Sequence, residues 1–167
     1  MSVSETLLPE VQNEMANTRK MLERVPDEKW GWKPHAKSFS MGDLAGHIAN
    51  LASWFEMVIT SDSFDVAPGG QRPPRREGPG NNQQLLAEFD ANAAKAAASL
   101  KGVDDALLAK PWSLLWGGQP IFTMPKAAVI RNAVMSHSIH HRGQLSVYLR
   151  LNDVPMPGMY GPSADES

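Results

Sequence analysis

Apolar residues recur at alternating steps of three and four in four separate stretches of this 167-residue chain, and no other feature of the sequence limits its fold so strongly. That period lines side chains along one face of an α-helix, whereas a half-buried strand would alternate at every second residue. The first stretch, from about Val3 to Val25, aligns Leu7, Val11, Met15 or Ala16, Thr18 or Met21, and Leu22. Ser2 and Glu5 fit a capping box at its start, and Pro26 ends it. The second begins at Ser40, where Ser40 and Asp43 form another box and Phe39 and Leu44 are spaced to close as a hydrophobic staple. Its stripe reads Leu44, His47, Leu51, Trp54, Val58. The third, from about Asn81 to Leu100, carries Leu85, Phe89, Ala93, Ala96 and Leu100 on one face, with Gly102 suited to its end. The fourth starts near Thr123 to Pro125 and runs to Leu151 along Ile130, Val134, His137, His141, Leu145 and Tyr148; Asn152 and Pro155 stop it.

The intervening segments set the connectivity. Pro26 to Phe39, with Trp30, Trp32 and Pro34, predicts an ordered connection whose indoles pack on the helices. Ser61 to Gly80 is dense in Pro and Gly and predicts a long crossover loop without regular structure. Val103 to Thr123 lacks a helical period, although Pro111 to Phe122 can pair as a hairpin around Gly117-Gly118. The Pro- and Gly-rich tail after Pro155 is expected to lie across the surface. Four helices joined partly by long connections predict an all-α fold, a four-helix bundle of crossover topology, with residues 1–167 forming a single domain.

Sixteen Lys and Arg against eighteen Asp and Glu give a net charge of −2, so no global field draws in nucleic acid or an anionic membrane. The start has no basic segment followed by an apolar run, and no stretch approaches the roughly 20 apolar residues that span a bilayer; a cytoplasmic location is expected. The absence of Cys removes disulfides and thiolate ligands, so any metal must be held by nitrogen or oxygen.

Five histidines supply the nitrogen. His137 and His141 are four apart on the last helix, so their rings project one turn apart from one side. His47 occupies the matching inward position on the second helix, and three imidazoles can thus converge between two facing helices. A single such histidine is readily explained as a hydrogen-bonded core residue. Three on two apolar faces each need polar partners in a site that offers few, which favours a metal. Three nitrogens leave positions open for water or substrate, and imidazole suits zinc, nickel, copper or iron; zinc and nickel lead. His140 is either an outer group of this site or a surface residue. His35, in a loop, has no partner pattern.

The segments SMGDLAGHIANL around His47, HSIHHRGQLSVYLRL from His137 and VPMPGMYGPSADE at the end resemble the DinB family of bacterial bundle proteins over nearly the whole chain. The resemblance implies a four-helix bundle binding a divalent metal through His47, His137 and His141. It implies no DNA chemistry. Related members include thiol-dependent S-transferases and isomerases, and related bundles often form homodimers. The expectation is therefore a metal-dependent hydrolase or low-molecular-weight-thiol S-transferase acting on a small molecule. The alternative is a non-enzymatic, stress-associated protein whose metal is structural or serves ligand binding only. No catalytic residue is assigned: Asp43 and Glu56, the carboxylates nearest His47 in sequence, do not clearly share its face. Arg142 and Gln144 match the family motif but face differently from the ligand pair, which suits a salt bridge or packing as well as substrate contact. Gly143 is expected to permit close helix approach. Trp54, Trp112 and Trp116 suit core packing better than a pocket wall.

Overall fold

A computed structural model describes residues 2–74 and 77–166. Residues 75 and 76 of the expected crossover loop lie outside the described residues. Helix α1 spans Val3–Leu22 and opens with the anticipated capping box: the Ser2 hydroxyl accepts from the Glu5 N–H, and the Glu5 carboxylate accepts from the Ser2 N–H at 2.7 Å. Helix α2, Met41–Leu51, starts on Ser40, whose Oγ accepts from the Asp43 N–H at 3.1 Å. The two preceding tryptophans help to satisfy this terminus. The Met41 and Gly42 N–H groups donate to the carbonyls of Trp32 and Trp30 at 2.8 and 2.9 Å, meeting donors that a helix start leaves open. The Trp30 indole lies so close to α2 that a Cβ on Gly42 would stand 2.1 Å from its Nε1, so only glycine fits there.

One continuous helix was expected through Val58, and Ala52 interrupts it before α3, Ser53–Thr60. Side chains compete for the carbonyls at this point. The Ser53 hydroxyl donates to the Asn50 carbonyl at 2.8 Å, and Asn92 Nδ2 donates to the Ala49 carbonyl at 3.1 Å. Past the break Phe55 is buried and Trp54 only half-buried, the reverse of the expected stripe.

The all-α expectation needs correction. The Pro- and Gly-rich loop contains strand β1, Ser63–Asp65, which pairs parallel with β2, Pro111–Trp116; β2 pairs antiparallel with β3, Gln119–Pro125. Proline and glycine exclude a helix but tolerate a short edge strand. Asp65 ties the loop to the hairpin, because its carboxylate accepts from the Gly117 and Gly118 N–H groups at 3.1 and 2.7 Å. Those glycines turn the expected hairpin with φ of 56° and 79°, a conformation that glycine adopts freely.

Helix α4, Asn82–Leu100, is capped by Asn81 and buries Leu85, Phe89, Ala96 and Leu100. A five-residue helix, α5 at Asp105–Ala109, was not anticipated, being too short to display a period; its signal is Asp104, which accepts from the Leu107 N–H. The last helical run consists of α6, Lys126–Ala128, a π-helical segment, Val129–Met135, and α7, Ser136–Arg150. Thr123 is not its cap, since it lies in β3 opposite Ser113. Lys126 is buried, and its Nζ donates to the carbonyls of Val58 and Ser61, fastening the end of α3.

Helix α4 packs on α1, α2 and α3, while α7 packs on α1 and α2. Two apolar clusters result. One gathers Leu22, Leu44, Ile48, Leu85, Phe89 and Leu145; the other gathers Leu7, Val11, Phe55, Trp112, Ile130 and Val134 beneath the sheet. The tail crosses the surface as expected, held where Arg150 pairs with Asp165 at 2.6 Å and where the Tyr160 hydroxyl meets Arg142. The fold is mostly helical and carries a small three-stranded sheet. Among the described residues, no helix is long and apolar enough to cross a membrane.

Candidate metal centre

The α2–α7 contact brings His47, His137 and His141 together, with a ligand-capable atom of each within 4.8 Å of the others. His47 Nε2 stands 3.4 Å from His137 Nε2, and His137 Nε2 stands 2.9 Å from His141 Nε2. Nitrogens about 2.0–2.1 Å from one tetrahedral ion lie roughly 3.3 Å apart, so these spacings suit a shared cation.

His141 Nδ1 meets the Gln144 Oε1 at 2.7 Å, and because an amide oxygen only accepts, the ring donates there. In a neutral imidazole this bond leaves Nε2 of His141 as a lone pair. That lone pair lies 2.9 Å from His137 Nε2, which in turn stands 3.4 Å from His47 Nε2, an arrangement in which a cation can be shared. The donor set therefore fits a divalent metal.

Burial, followed by the neighbouring His141 and His140 charges, holds the His137 imidazole below the ordinary histidine range; its bond to Ala133 opposes this. Burial also lowers His141, against the bond to Gln144 and with the help of His140. Both rings consequently stay neutral, and able to ligate, to lower pH than a free histidine.

All three rings are half-buried, which differs from the deeply inward position that the apolar stripes implied. On α2 the buried set is Met41, Gly42, Leu44, Ala45, Ile48, Ala49 and Leu51, with His47 at its border. On α7 it is Ser138, Arg142, Leu145 and Leu149. On α7 the offset follows the π segment, which holds an extra residue per turn and shifts the helix face that a 3.6-residue count carries through it; on α2, His47 stands just before the buried Ile48. The centre accordingly sits at the rim of the core.

Aromatic rings surround the cluster. Phe39, spaced to staple over Leu44, has its ring 5.9 Å from His47 and 6.4 Å from His141. Trp54 stands 6.4 Å from His137 and 5.8 Å from Phe64 of β1. On the other side of His47 a cleft of about 240 Å³ is lined by Trp30, Asp43, Asn50, Glu77 and Glu88 among others. Asp43 thus shares a wall with His47, and Glu56 does not line this cleft. His140 is exposed, with its ring 5.1 Å from His141, and His35 lies on the surface.

Gln144 is the site residue whose role the sequence did not reveal, although residues three apart on a helix are neighbours and His141 is three before it. Arg142 forms the salt bridge considered for it, reaching Glu14 at 2.7 Å and the Thr18 hydroxyl at 3.0 Å. Gly143 does not serve close helix approach: a Cβ there would meet nothing within 4 Å. Trp112 is buried and Trp116 is exposed under the Arg72 guanidinium, 5.1 Å from its ring centre.

A family model described as the DinB superfamily matches residues 11–145. The uncharacterized protein YrdA of Bacillus subtilis is 26% identical over 152 residues, covering 89% of this chain and 83% of that protein. Two solved structures have the same fold. A DinB-like protein from Bacillus cereus superposes with a TM-score of 0.70 at 21% identity, covering 93% of this chain and 97% of its own. The DinB-like protein YjoA of B. subtilis gives 0.68 at 20%, covering 94% and 99%.

Proposed function

Because the chain belongs to the DinB superfamily and brings three imidazoles to one point at its surface, we propose that it is a divalent-metal-dependent enzyme acting on a small molecule, as a hydrolase or a low-molecular-weight-thiol S-transferase. The observation that carries this is the convergence of the His47, His137 and His141 Nε2 atoms, with Gln144 turning the Nε2 lone pair of His141 toward the other two. His47, His137 and His141 hold the ion, taken as zinc or nickel among the metals that imidazole suits. When bound, such an ion acts as a Lewis acid that makes a water or thiol nucleophilic near neutral pH.

The chain's own residues do the rest. Gln144 fixes the orientation of the His141 imidazole. The cleft beside His47 admits a small polar reactant, and its carboxylates, Asp43 foremost, are placed to take up a proton. The half-burial of the rings supports an accessible centre over a closed structural one. The helices are read as a four-helix bundle of crossover topology within one domain of 167 residues.

The test is metal analysis of protein purified without a His tag, followed by hydrolase and thiol-transfer substrates offered to loaded and metal-free forms. Activity should require the ion. Activity that persists unchanged after complete metal removal contradicts the enzyme proposed here, and loaded protein inert to every substrate favours a structural or ligand-binding metal.

A further inference from the structure

Four helical serines turn their hydroxyls back onto their own helix, the usual way such a group is satisfied. Ser53, Ser99 and Ser146 donate to carbonyls three residues earlier at 2.8, 2.9 and 2.6 Å, and Ser136 donates to the Arg131 carbonyl at 2.9 Å. Ser138, the residue after His137, behaves differently. It is 7% exposed, and its Oγ has no hydrogen-bond partner among the described residues. A buried hydroxyl left unpaired carries the whole cost of its desolvation. Ser138 lines a cavity of about 10 Å³ in the core, and Glu14 and Thr18 of α1 line the same space. The rest of the wall is apolar, with Ile48, Phe55, Phe89 and Ile139 among its members.

Both α1 residues have hydrogen-bonding capacity left. Glu14 Oε2 accepts from Arg142 and from the Tyr160 hydroxyl at 2.7 and 2.8 Å, while Oε1 accepts from no group among the described residues. Thr18 Oγ1 accepts from Arg142 at 3.0 Å, which leaves its own proton to donate. We propose that the cavity holds one ordered water molecule that joins α7 to α1: it pairs with Ser138 Oγ, donates to the Glu14 carboxylate and accepts from the Thr18 hydroxyl. A buried water needs two to four polar partners and a space of roughly 10–15 Å³, and this cavity supplies both. Its volume excludes a larger guest. Arg142 already balances the Glu14 charge, so a neutral guest fits better than an ion. The water extends the Arg142 clamp by one helical turn, to the position beside the candidate ligand His137.

The experiment is a high-resolution crystal structure of the full chain, together with thermal unfolding of Ser138→Ala beside Ser146→Ala. The structure should show a water about 2.5–3.0 Å from Ser138 Oγ and within the same reach of Glu14 or Thr18. A cavity without that water, for instance with the Ser138 hydroxyl turned onto a carbonyl of its own helix, overturns the proposal. The two variants share one change of helix propensity, and only Ser138→Ala takes a partner from the water and strands its other bonds. Ser138→Ala should therefore melt about 2–4 °C below Ser146→Ala. A melting temperature at or above that of Ser146→Ala overturns the proposal, since deleting an unpaired hydroxyl from a dry cavity removes a penalty. Neither readout depends on the metal centre.

Discussion

Gln144 decides which nitrogen of His141 faces the centre, by accepting from Nδ1–H at 2.7 Å. Groups that orient a ligating histidine typically contribute 10- to 100-fold to metal affinity. Gln144→Ala should therefore weaken zinc binding by about tenfold or more in a chelator competition, with the helical circular dichroism unchanged. Unaltered affinity would assign the motif glutamine another role. Proton linkage gives a second expectation at this scale. Burial lowers His137 and His141 in the folded chain, so below the ordinary value of about 6.5 the unfolded chain binds more protons than the folded one. Stability of the metal-free protein is thus full above about pH 6.5, declines as pH falls, and levels off once both folded-state values are passed. Urea midpoints between pH 7 and 5 should fall more steeply for the wild type than for a His137→Gln/His141→Gln variant; parallel slopes would contradict this. Gly143, mid-helix, exposed and with open space around its Cα, keeps a poor helix former where nothing requires it. Gly143→Ala should stabilise the chain by roughly 0.5–1 kcal/mol, read as a higher melting temperature.

Among the elements, α7 carries both the centre and the clamp that seats it. Arg142, 3% exposed, joins α7 to Glu14 and Thr18 of α1 and to Tyr160 of the tail. Removing one partner of a buried ion pair leaves the other charge uncompensated. Arg142→Ala should cost about 3 kcal/mol in urea unfolding, and a loss below about 1 kcal/mol would show the clamp to be dispensable. The helices themselves were legible in the sequence because their signals are local: Ser2 with Glu5, Ser40 with Asp43, and the apolar stripes of α1 and α4. Three features escaped. The break at Ala52 combines Ser53, whose hydroxyl takes the Asn50 carbonyl, with Asn92, forty residues away. Strand β1 depends on a partner in β2 fifty residues on. The π segment leaves the apolar residues before it in place but rotates α7 relative to them, so His137 and His141 were identified while their depth was misjudged.

For the whole molecule, the two apolar clusters rather than the centre supply the main drive to fold, since the histidines lie at the border of the buried sets. Metal removal should leave the helical dichroism of the chain largely intact; a mostly unfolded metal-free protein would make the ion structural. The centre was legible as a set of residues because two helices with recognisable faces carry it, and its chemistry derives from how those helices meet. The measurement that bears most directly on this is zinc stoichiometry and affinity of the untagged protein beside His47→Ala, His137→Ala and His141→Ala. One ion per chain, lost or weakened by orders of magnitude in each variant while helicity is kept, is the expected result; full affinity retained by His47→Ala would remove His47 from the centre and contradict the three-imidazole site.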